Sequence, residues 1–328
     1  MNNFKKIGMT ALAASLVSTS ASFAGEMTAS GAASITVENY SALQRTAGKA
    51  FSMADSVTLA GSGELDNGLT VSLSFELDAG ADATPGSFDD HSVSISSDAL
   101  GTFKFSGNSG SSAVSAIDAT AAGDIFDTFD GKVGTAETAT TAGDAAMLTS
   151  PGGSNTMLYT LPAMADGLSI SASYTPQAAT AESSNALGAT YTGIEGLSVS
   201  YGVGTNDGSA GTANNADVTT MKASYAYGPV TVAYSDHEFD SATATRDQDT
   251  TAFSLAYTVS DAISLTYGEE TIDSGETAVD AEYKKISAAY TSGGMTITAV
   301  SAEAENVSYT TGVTEDLDYW GLTLAFAF

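Results

Sequence analysis

Apolar side chains recur at every second position over much of the chain. In residues 69–77, Leu, Val, Leu, Phe and Leu alternate with Thr, Ser, Ser and Glu. A period of two places each kind of residue on its own face of a β-strand. The same pattern predicts strands around 168–174, 197–203, 221–227, 230–234, 253–259, 263–267 and 320–328. No run of 18 apolar residues follows residue 24, so no transmembrane helix is predicted.

The second face of these predicted strands carries mainly Ser, Thr, Ala and Gly. The exposed face of a soluble β-protein usually bears more Lys and Glu than this. Small polar groups are typical of the interior of a transmembrane barrel whose apolar face contacts lipid. The pattern therefore predicts an all-β, antiparallel transmembrane barrel, while a secreted β-sandwich or β-solenoid stays open as an alternative.

The connections between the predicted strands alternate in length. The short ones lie near 65–68, 98–101, 162–167, 193–196, 228–229, 260–262 and 292–294. The long ones lie near 40–55, 78–90, 108–153, 176–185, 205–217, 236–250, 271–281 and 304–316. Short turns on one rim and long loops on the other are typical of outer-membrane barrels, and the count gives sixteen strands.

The first 24 residues have the features of a secretory signal peptide. Lys5 and Lys6 precede an apolar stretch at 7–17, and Ser22 and Ala24 are small residues at the positions that a signal peptidase reads. We predict that residues 1–24 are removed and that residues 25–328 form the barrel. The remaining chain would have 8 basic and 39 acidic residues, a formal charge of −31.

This charge limits the partners. A strongly acidic chain repels phosphates, which argues against nucleic-acid binding, and it attracts cations. The chain has no cysteine, so the exported protein must be stabilised without disulfides.

The final strand, residues 320–328, ends on Phe328 and has apolar residues at alternate positions behind it. It resembles the terminal strand of outer-membrane proteins, which the barrel assembly machinery reads as a signal. Together with the leader, the long third connection and the segment at 159–174, it makes the chain resemble the general porins of Gram-negative bacteria, of the alphaproteobacterial, Rhodobacter-like type.

That resemblance implies a function and a set of partners. It implies a homotrimer in the outer membrane, surrounded by lipids and lipopolysaccharide, through which small hydrophilic solutes and cations diffuse. It also implies that the third long connection, called loop 3 below, folds into the lumen as a constriction. Such porins commonly oppose acidic residues on loop 3 to wall arginines, whereas the arginines here are Arg45 and Arg246 alone.

Loop 3, about residues 108–153, is rich in carboxylates and has one base, Lys132. A ring of carboxylates at a constriction would attract cations. Ile125, Phe126 and Phe129 are suited to pack the loop against the barrel wall. A solvated extracellular loop is the alternative. The candidate constriction residues are Asp118, Asp124, Asp127, Asp130, Glu137 and Asp144.

Three of these residues, Asp124, Asp127 and Asp130, also make calcium a candidate ligand. Their spacing of three differs from the alternate positions of an EF-hand loop. A calcium site would suit a different class of protein, a secreted or surface-attached acidic adhesin or surface-layer protein.

Four lysines are candidates for the wall or the rim. The alternation directs Lys104 and Lys222 towards the polar face, as wall bases that either oppose loop 3 or pair with a neighbouring carboxylate. Lys284 and Lys285 lie near a strand start and are predicted at the rim. Rim acids are predicted at Glu269, Glu270, Asp273 and Glu276.

Motifs for catalysis were not found in the sequence. It has no Gly-x-Ser-x-Gly, His-Glu-x-x-His or phosphate-loop motif, and His91 and His237 are interpreted as isolated surface residues. We therefore predict a channel and not an enzyme, needing no cofactor beyond the calcium considered above. A substrate-specific outer-membrane channel stays open as an alternative.

Overall fold

The computed structural model describes residues 26–40, 48–78, 88–129, 147–148, 152–176, 183–206, 215–242, 247–275, 279–307, 309 and 316–328. These residues form sixteen strands that close into one barrel, with β1 paired to β16. The strands are β1 Glu26–Tyr40, β2 Gly48–Glu64, β3 Thr70–Asp78, β4 Asp90–Ser97, β5 Gly101–Asn108, β6 Thr156–Thr160, β7 Leu168–Thr175, β8 Ser184–Tyr191, β9 Leu197–Asn206, β10 Ala216–Tyr227, β11 Val230–Ser241, β12 Gln248–Ser260, β13 Ile263–Ser274, β14 Ala281–Ser292, β15 Met295–Glu305 and β16 Leu317–Ala327.

Every strand pairs antiparallel with its neighbours in the chain, so the predicted sixteen-stranded antiparallel barrel is confirmed. The register aligns apolar residues of neighbouring strands on one face. Ile35 of β1 lies opposite Met53 of β2 and Leu324 of β16. Ile35 and Met53 are 49% and 68% exposed. A continuous exposed apolar face of this kind is stable against lipid and not against water.

Several strands are longer than the sequence predicts. The sequence predicts residues 48–55 in the first long connection, but β2 begins at Gly48. Likewise, β11 runs to Ser241 and β12 begins at Gln248, which shortens the connection predicted at 236–250. The hydrogen-bonded ladder continues past Tyr234, where the outward residues change from apolar to acidic at Asp236 and Glu238. The apolar alternation that marks a strand therefore ends before the strand does.

The buried apolar residues lie between the barrel wall and the described part of loop 3. One cluster joins Ile125, Phe126 and Phe129 to Ile272 and Tyr283 of the wall. A second joins Ala113 and Val114 to Ala186, Val218 and Phe239. Among the described residues, no helix is long and apolar enough to span a bilayer.

Candidate functional site

Residues 112–129, the described part of loop 3 beyond its root, contact the polar face of many strands. The amide of Ala113 donates to Ser173 Oγ on β7, and the amide of Ala121 donates to Ser235 Oγ on β11, each at 2.8 Å. On the far side, Tyr40 Oη of β1 donates to the carbonyl of Thr128 at 3.0 Å. We call this stretch the 112–129 segment.

Three glycines on the polar face leave room for the 112–129 segment. A Cβ atom built on Gly188 of β8 would lie 2.6 Å from the carbonyl oxygen of Ala113. A Cβ on Gly202 of β9 would lie 3.0 Å from Ile117 Cδ1, and one on Gly268 of β13 would lie 2.9 Å from Ala122 Cβ. The close approach of segment and wall therefore depends on glycine at these positions.

Larger side chains at these glycines should displace the segment. We expect Gly268→Val to raise single-channel conductance and current noise, because the added methyl groups would overlap Ala122 and Ile125. Overpacking of this kind typically costs about 1–3 kcal/mol. Single-channel recordings in planar bilayers would check this. Gly321→Val is unsuitable as a control, because a side chain at residue 321 would meet the ring of Tyr319. Native conductance in Gly268→Val would contradict the close contact of the 112–129 segment with the wall at Gly268.

Glu270 of β13 holds the centre of the segment. It is 1% exposed. Its carboxyl group accepts a hydrogen bond from the Thr120 hydroxyl and one, at 3.0 Å, from the amide of Phe126. The sequence prediction of a rim acid at Glu270 is wrong, because alternation from Tyr267 turns residue 270 to the polar face, where the 112–129 segment covers it.

Two lysines bind backbone carbonyls of the segment. Lys222 Nζ donates to the carbonyl of Ala119 at 2.6 Å, and Lys285 Nζ donates to that of Gly123 at 3.4 Å. Lys222 thus lies on the wall facing loop 3. The rim prediction for Lys285 is wrong: its side chain is buried, on the face opposite Lys284. Lys284 is partly exposed, and its Nζ lies 3.9 Å from a carboxylate oxygen of Glu282.

Asp124 stabilises the loop conformation. It is 3% exposed, and its Oδ1 accepts a hydrogen bond from the amide of Thr120 at 2.8 Å. Burial raises the pKa of Asp124, although the Thr120 hydrogen bonds and the ammonium of Lys222 act in the opposite direction. Its backbone is left-handed, with φ of 50°, and precedes a short 3-10 helix at Ile125–Thr128.

This geometry predicts different effects for two substitutions of Asp124. Asn accepts the Thr120 hydrogen bond and tolerates the left-handed region, so Asp124→Asn should keep near-native conductance. Ala loses the acceptor and adds backbone strain, together worth about 1–3 kcal/mol, so Asp124→Ala should give noisier, less uniform channels. Single-channel recordings of both variants test this. Equal behaviour of the two would show that the hydrogen bond to Thr120 is unimportant.

The other predicted constriction acids divide into two groups. Asp118 and Asp127 are partly exposed in the 112–129 segment, and Asp118 lies near enough to Lys222 to interact with its charge. Asp130, Glu137 and Asp144 lie outside the described residues. Within the described residues, no group of three or more His, Asp and Glu side chains is arranged to hold a metal. Calcium binding at Asp124, Asp127 and Asp130 stays a prediction.

His237 lies against a second part of loop 3. Its Nε2 is 2.6 Å from the carbonyl of Leu148, whose amide donates to Gln248 at 2.7 Å. The interpretation of His237 as a surface residue is wrong, since it is 3% exposed and faces the polar side of β11. His237 and Gln248 therefore anchor residues 147–148 to the wall.

An opening of about 230 Å³ remains beside the segment. It is lined by Ala116, Ile117, Ser198, Ser200, Lys222 and Ser224. Hydroxyl groups and one ammonium face this space, so it is suited to water and small polar solutes.

Phe328 completes the closure of the barrel. Its amide donates to the carbonyl of Gly31 at 3.0 Å, and its carbonyl accepts from the amide of Gly31 at 2.7 Å. The ring is 79% exposed. Thus the backbone of the last residue joins β1, while its side chain projects from the surface.

Three solved structures similar to this chain are each under 25% identical to it, so they show the fold. A mutant Rhodobacter blastica porin is 13% identical, with a TM-score of 0.63 over 92% of this chain and 100% of that chain. A porin refined at 1.8 Å resolution is 20% identical, with a TM-score of 0.62 and the same coverage. Salmonella typhi OmpF in complex with daunomycin is 12% identical, with a TM-score of 0.66 over 93% of this chain and 98% of that chain.

No curated protein matches the sequence. A family model described as Gram-negative porin matches residues 8–327, nearly the whole chain. Family and fold decide against the secreted adhesin and indicate a channel rather than an enzyme. The chain therefore belongs to the Gram-negative porin family, and it is an outer-membrane channel for passive diffusion.

Proposed function

We propose that this porin forms a water-filled, cation-selective pore narrowed by the 112–129 segment. The observation that carries the proposal is the set of wall residues contacted by one short segment: Ser173, Lys222, Ser235, Glu270, Lys285 and Tyr40, on β7, β10, β11, β13, β14 and β1. One segment can reach strands so widely spaced around a closed barrel by crossing its interior.

The proposed preference for cations is supported by the acidic composition. The chain has 39 acidic and 10 basic residues. Two of the wall bases, Lys222 and Lys285, are already bound to carbonyl groups of the segment. An excess of carboxylates around a narrow pore raises the local concentration of cations.

We also propose that the protein assembles as a homotrimer in contact with lipopolysaccharide, and that the exposed ring of Phe328 is read by the barrel assembly machinery. The proposal of a trimer rests on the porin family, and cross-linking of the native protein in its membrane tests it. Cross-linking that yields monomer and no larger product would contradict the trimer.

Reversal potential in a planar bilayer tests the proposed selectivity. With a tenfold gradient of potassium chloride, we expect the native protein to give a potential of the sign that denotes potassium permeation, larger at low salt, because salt shortens the reach of fixed charges from roughly 30 Å at 0.01 M to 3 Å at 1 M. A zero or chloride-directed potential would contradict cation selectivity and leave the channel itself established.

A further inference from the structure

Part of the polar face of the barrel lies opposite the 112–129 segment. The segment contacts residues on β7, β10, β11, β13, β14 and β1, as given above, and its root leaves the barrel at the end of β5. The contacted strands run from β7 round the closed barrel to β1, so β3, β4 and β5 lie on the side of the lumen across from them. Along this wall, the polar face carries Ser72, Ser74, Glu76, Asp90, Ser92, Ser94, Lys104 and Ser106.

Glu76 and Asp90 are direct cross-strand partners on this wall. Like charges directly opposite each other on a sheet are destabilising. In addition, Oδ1 of Asp90 is buried and has no hydrogen-bond partner among the described residues. The fold thus holds two carboxyl groups side by side at a position where their repulsion opposes folding.

The position of these two residues is fixed by the root of loop 3. The amide of Asp89 donates to the carbonyl of Glu76 at 2.9 Å. The carbonyl of Asp89 accepts from Asn108 Nδ2 at 2.6 Å and from Ser109 Oγ at 3.2 Å. Glu76, Asp90 and Lys104 line a shared opening of about 100 Å³ together with serines and Asn108.

Four charged residues at the 112–129 segment are in contact with the segment itself. Asp124 is buried against Thr120, and Glu270 is buried beneath the segment. Lys222 and Lys285 donate to carbonyl groups of the same segment. Of these four residues, Lys222 also lines the opening of about 230 Å³. Glu76 and Asp90 are the acidic residues that line the opening of about 100 Å³.

We infer that Glu76 and Asp90 determine the cation preference of the pore and that Lys104 limits it. This inference rests on the proposed cation-selective pore and names the residues that set its selectivity. The carboxylates concentrate cations along the wall opposite the segment, and the ammonium of Lys104 on the neighbouring strand reduces that effect.

The test compares variants with the native protein by reversal potential in a potassium chloride gradient at low salt. In Glu76→Gln/Asp90→Asn, we expect the potassium-to-chloride permeability ratio to fall about tenfold for each carboxylate, because one charge at roughly 6 Å in water changes the local concentrations of potassium and chloride about threefold each, in opposite directions. In Lys104→Gln, the ratio should rise by a similar factor. Asp217→Asn/Glu303→Gln removes the same charge from exposed, outward-facing positions and should leave the ratio near the native value.

The outcomes separate this inference from the proposed function. If the native pore is not cation-selective, the proposed function fails. If the native pore is selective but Glu76→Gln/Asp90→Asn conducts with an unchanged ratio, the assignment to this wall is overturned. A drop in ratio confined to Asp118→Asn/Asp127→Asn would overturn it too, and would transfer selectivity to loop 3. Lys104→Gln keeps the assignment testable if the double variant does not fold, because an unchanged ratio in Lys104→Gln overturns it as well.

Discussion

Deletion of Phe328 should lower the fraction of chains that fold into a closed barrel by at least about tenfold. The deletion removes both backbone hydrogen bonds to Gly31 at the seam between β1 and the end of the chain. Each such bond is worth about 1 kcal/mol in water, and groups left unpaired in a bilayer cost more. Heat-modified gel mobility of protein refolded in detergent, and of outer membranes, would measure the folded fraction.

Phe328→Ala is the matched control for that deletion. It keeps the backbone hydrogen bonds and removes a ring that is 79% exposed, so refolding in detergent should be close to native. Assembly in cells should nevertheless fall if the assembly machinery reads the ring. Native refolding of the deleted chain in detergent would contradict the structural role given to the last residue.

Glu270→Ala should give the largest change in pore properties among single substitutions of the wall. It removes the acceptor of the Thr120 hydroxyl and the Phe126 amide, leaving both of these buried donors without an acceptor. Unpaired buried groups typically cost about 1–3 kcal/mol each, enough to release the 112–129 segment from the barrel wall. We expect higher and noisier single-channel conductance, and a larger solute-size limit in liposome swelling.

Glu269→Gln provides the control for Glu270→Ala. Residue 269 is adjacent in sequence but exposed on the outward face, where it accepts a hydrogen bond from the Tyr267 hydroxyl. Its conductance and size limit should match those of the native protein. Glu270→Gln keeps one acceptor and should be intermediate. If Glu270→Ala folds and conducts like the native chain, the carboxyl group does not position the segment.

The barrel could be predicted from sequence because alternation and connection length are local properties. Each strand repeats the same apolar and polar parity, and the membrane allows a closed barrel where it allows no open sheet edge. Strand ends were harder to predict, since residues beyond Tyr234 stay paired after their outward side chains become acidic. Hydrogen bonding and not hydrophobicity sets those ends.

The site could be predicted only in part. Loop 3 is predictable from its length and Lys222 from its parity, whereas Glu270 is predicted among the rim acids and Lys285 at the rim near a strand start. Parity counted from Tyr267 and Tyr290 turns both to the polar face, a signal that was present in the sequence. The close contacts of the 112–129 segment at Gly188, Gly202 and Gly268 could not be predicted, because glycine is also frequent on such strands for other reasons. Which strands line an opening depends on contacts between residues that are distant in sequence.

Chemical modification at Ala116 tests most directly whether the 112–129 segment borders the conducting path. Ala116 is exposed and lines the opening of about 230 Å³, and the chain has no native cysteine to interfere. Ala116→Cys and the outward-facing control Ser301→Cys would be labelled in detergent with a cationic methanethiosulfonate, checked by mass, and reconstituted in planar bilayers. We expect the label to lower the conductance of Ala116→Cys and to leave that of Ser301→Cys unchanged. Full conductance of labelled Ala116→Cys would contradict the placement of the 112–129 segment beside the conducting path.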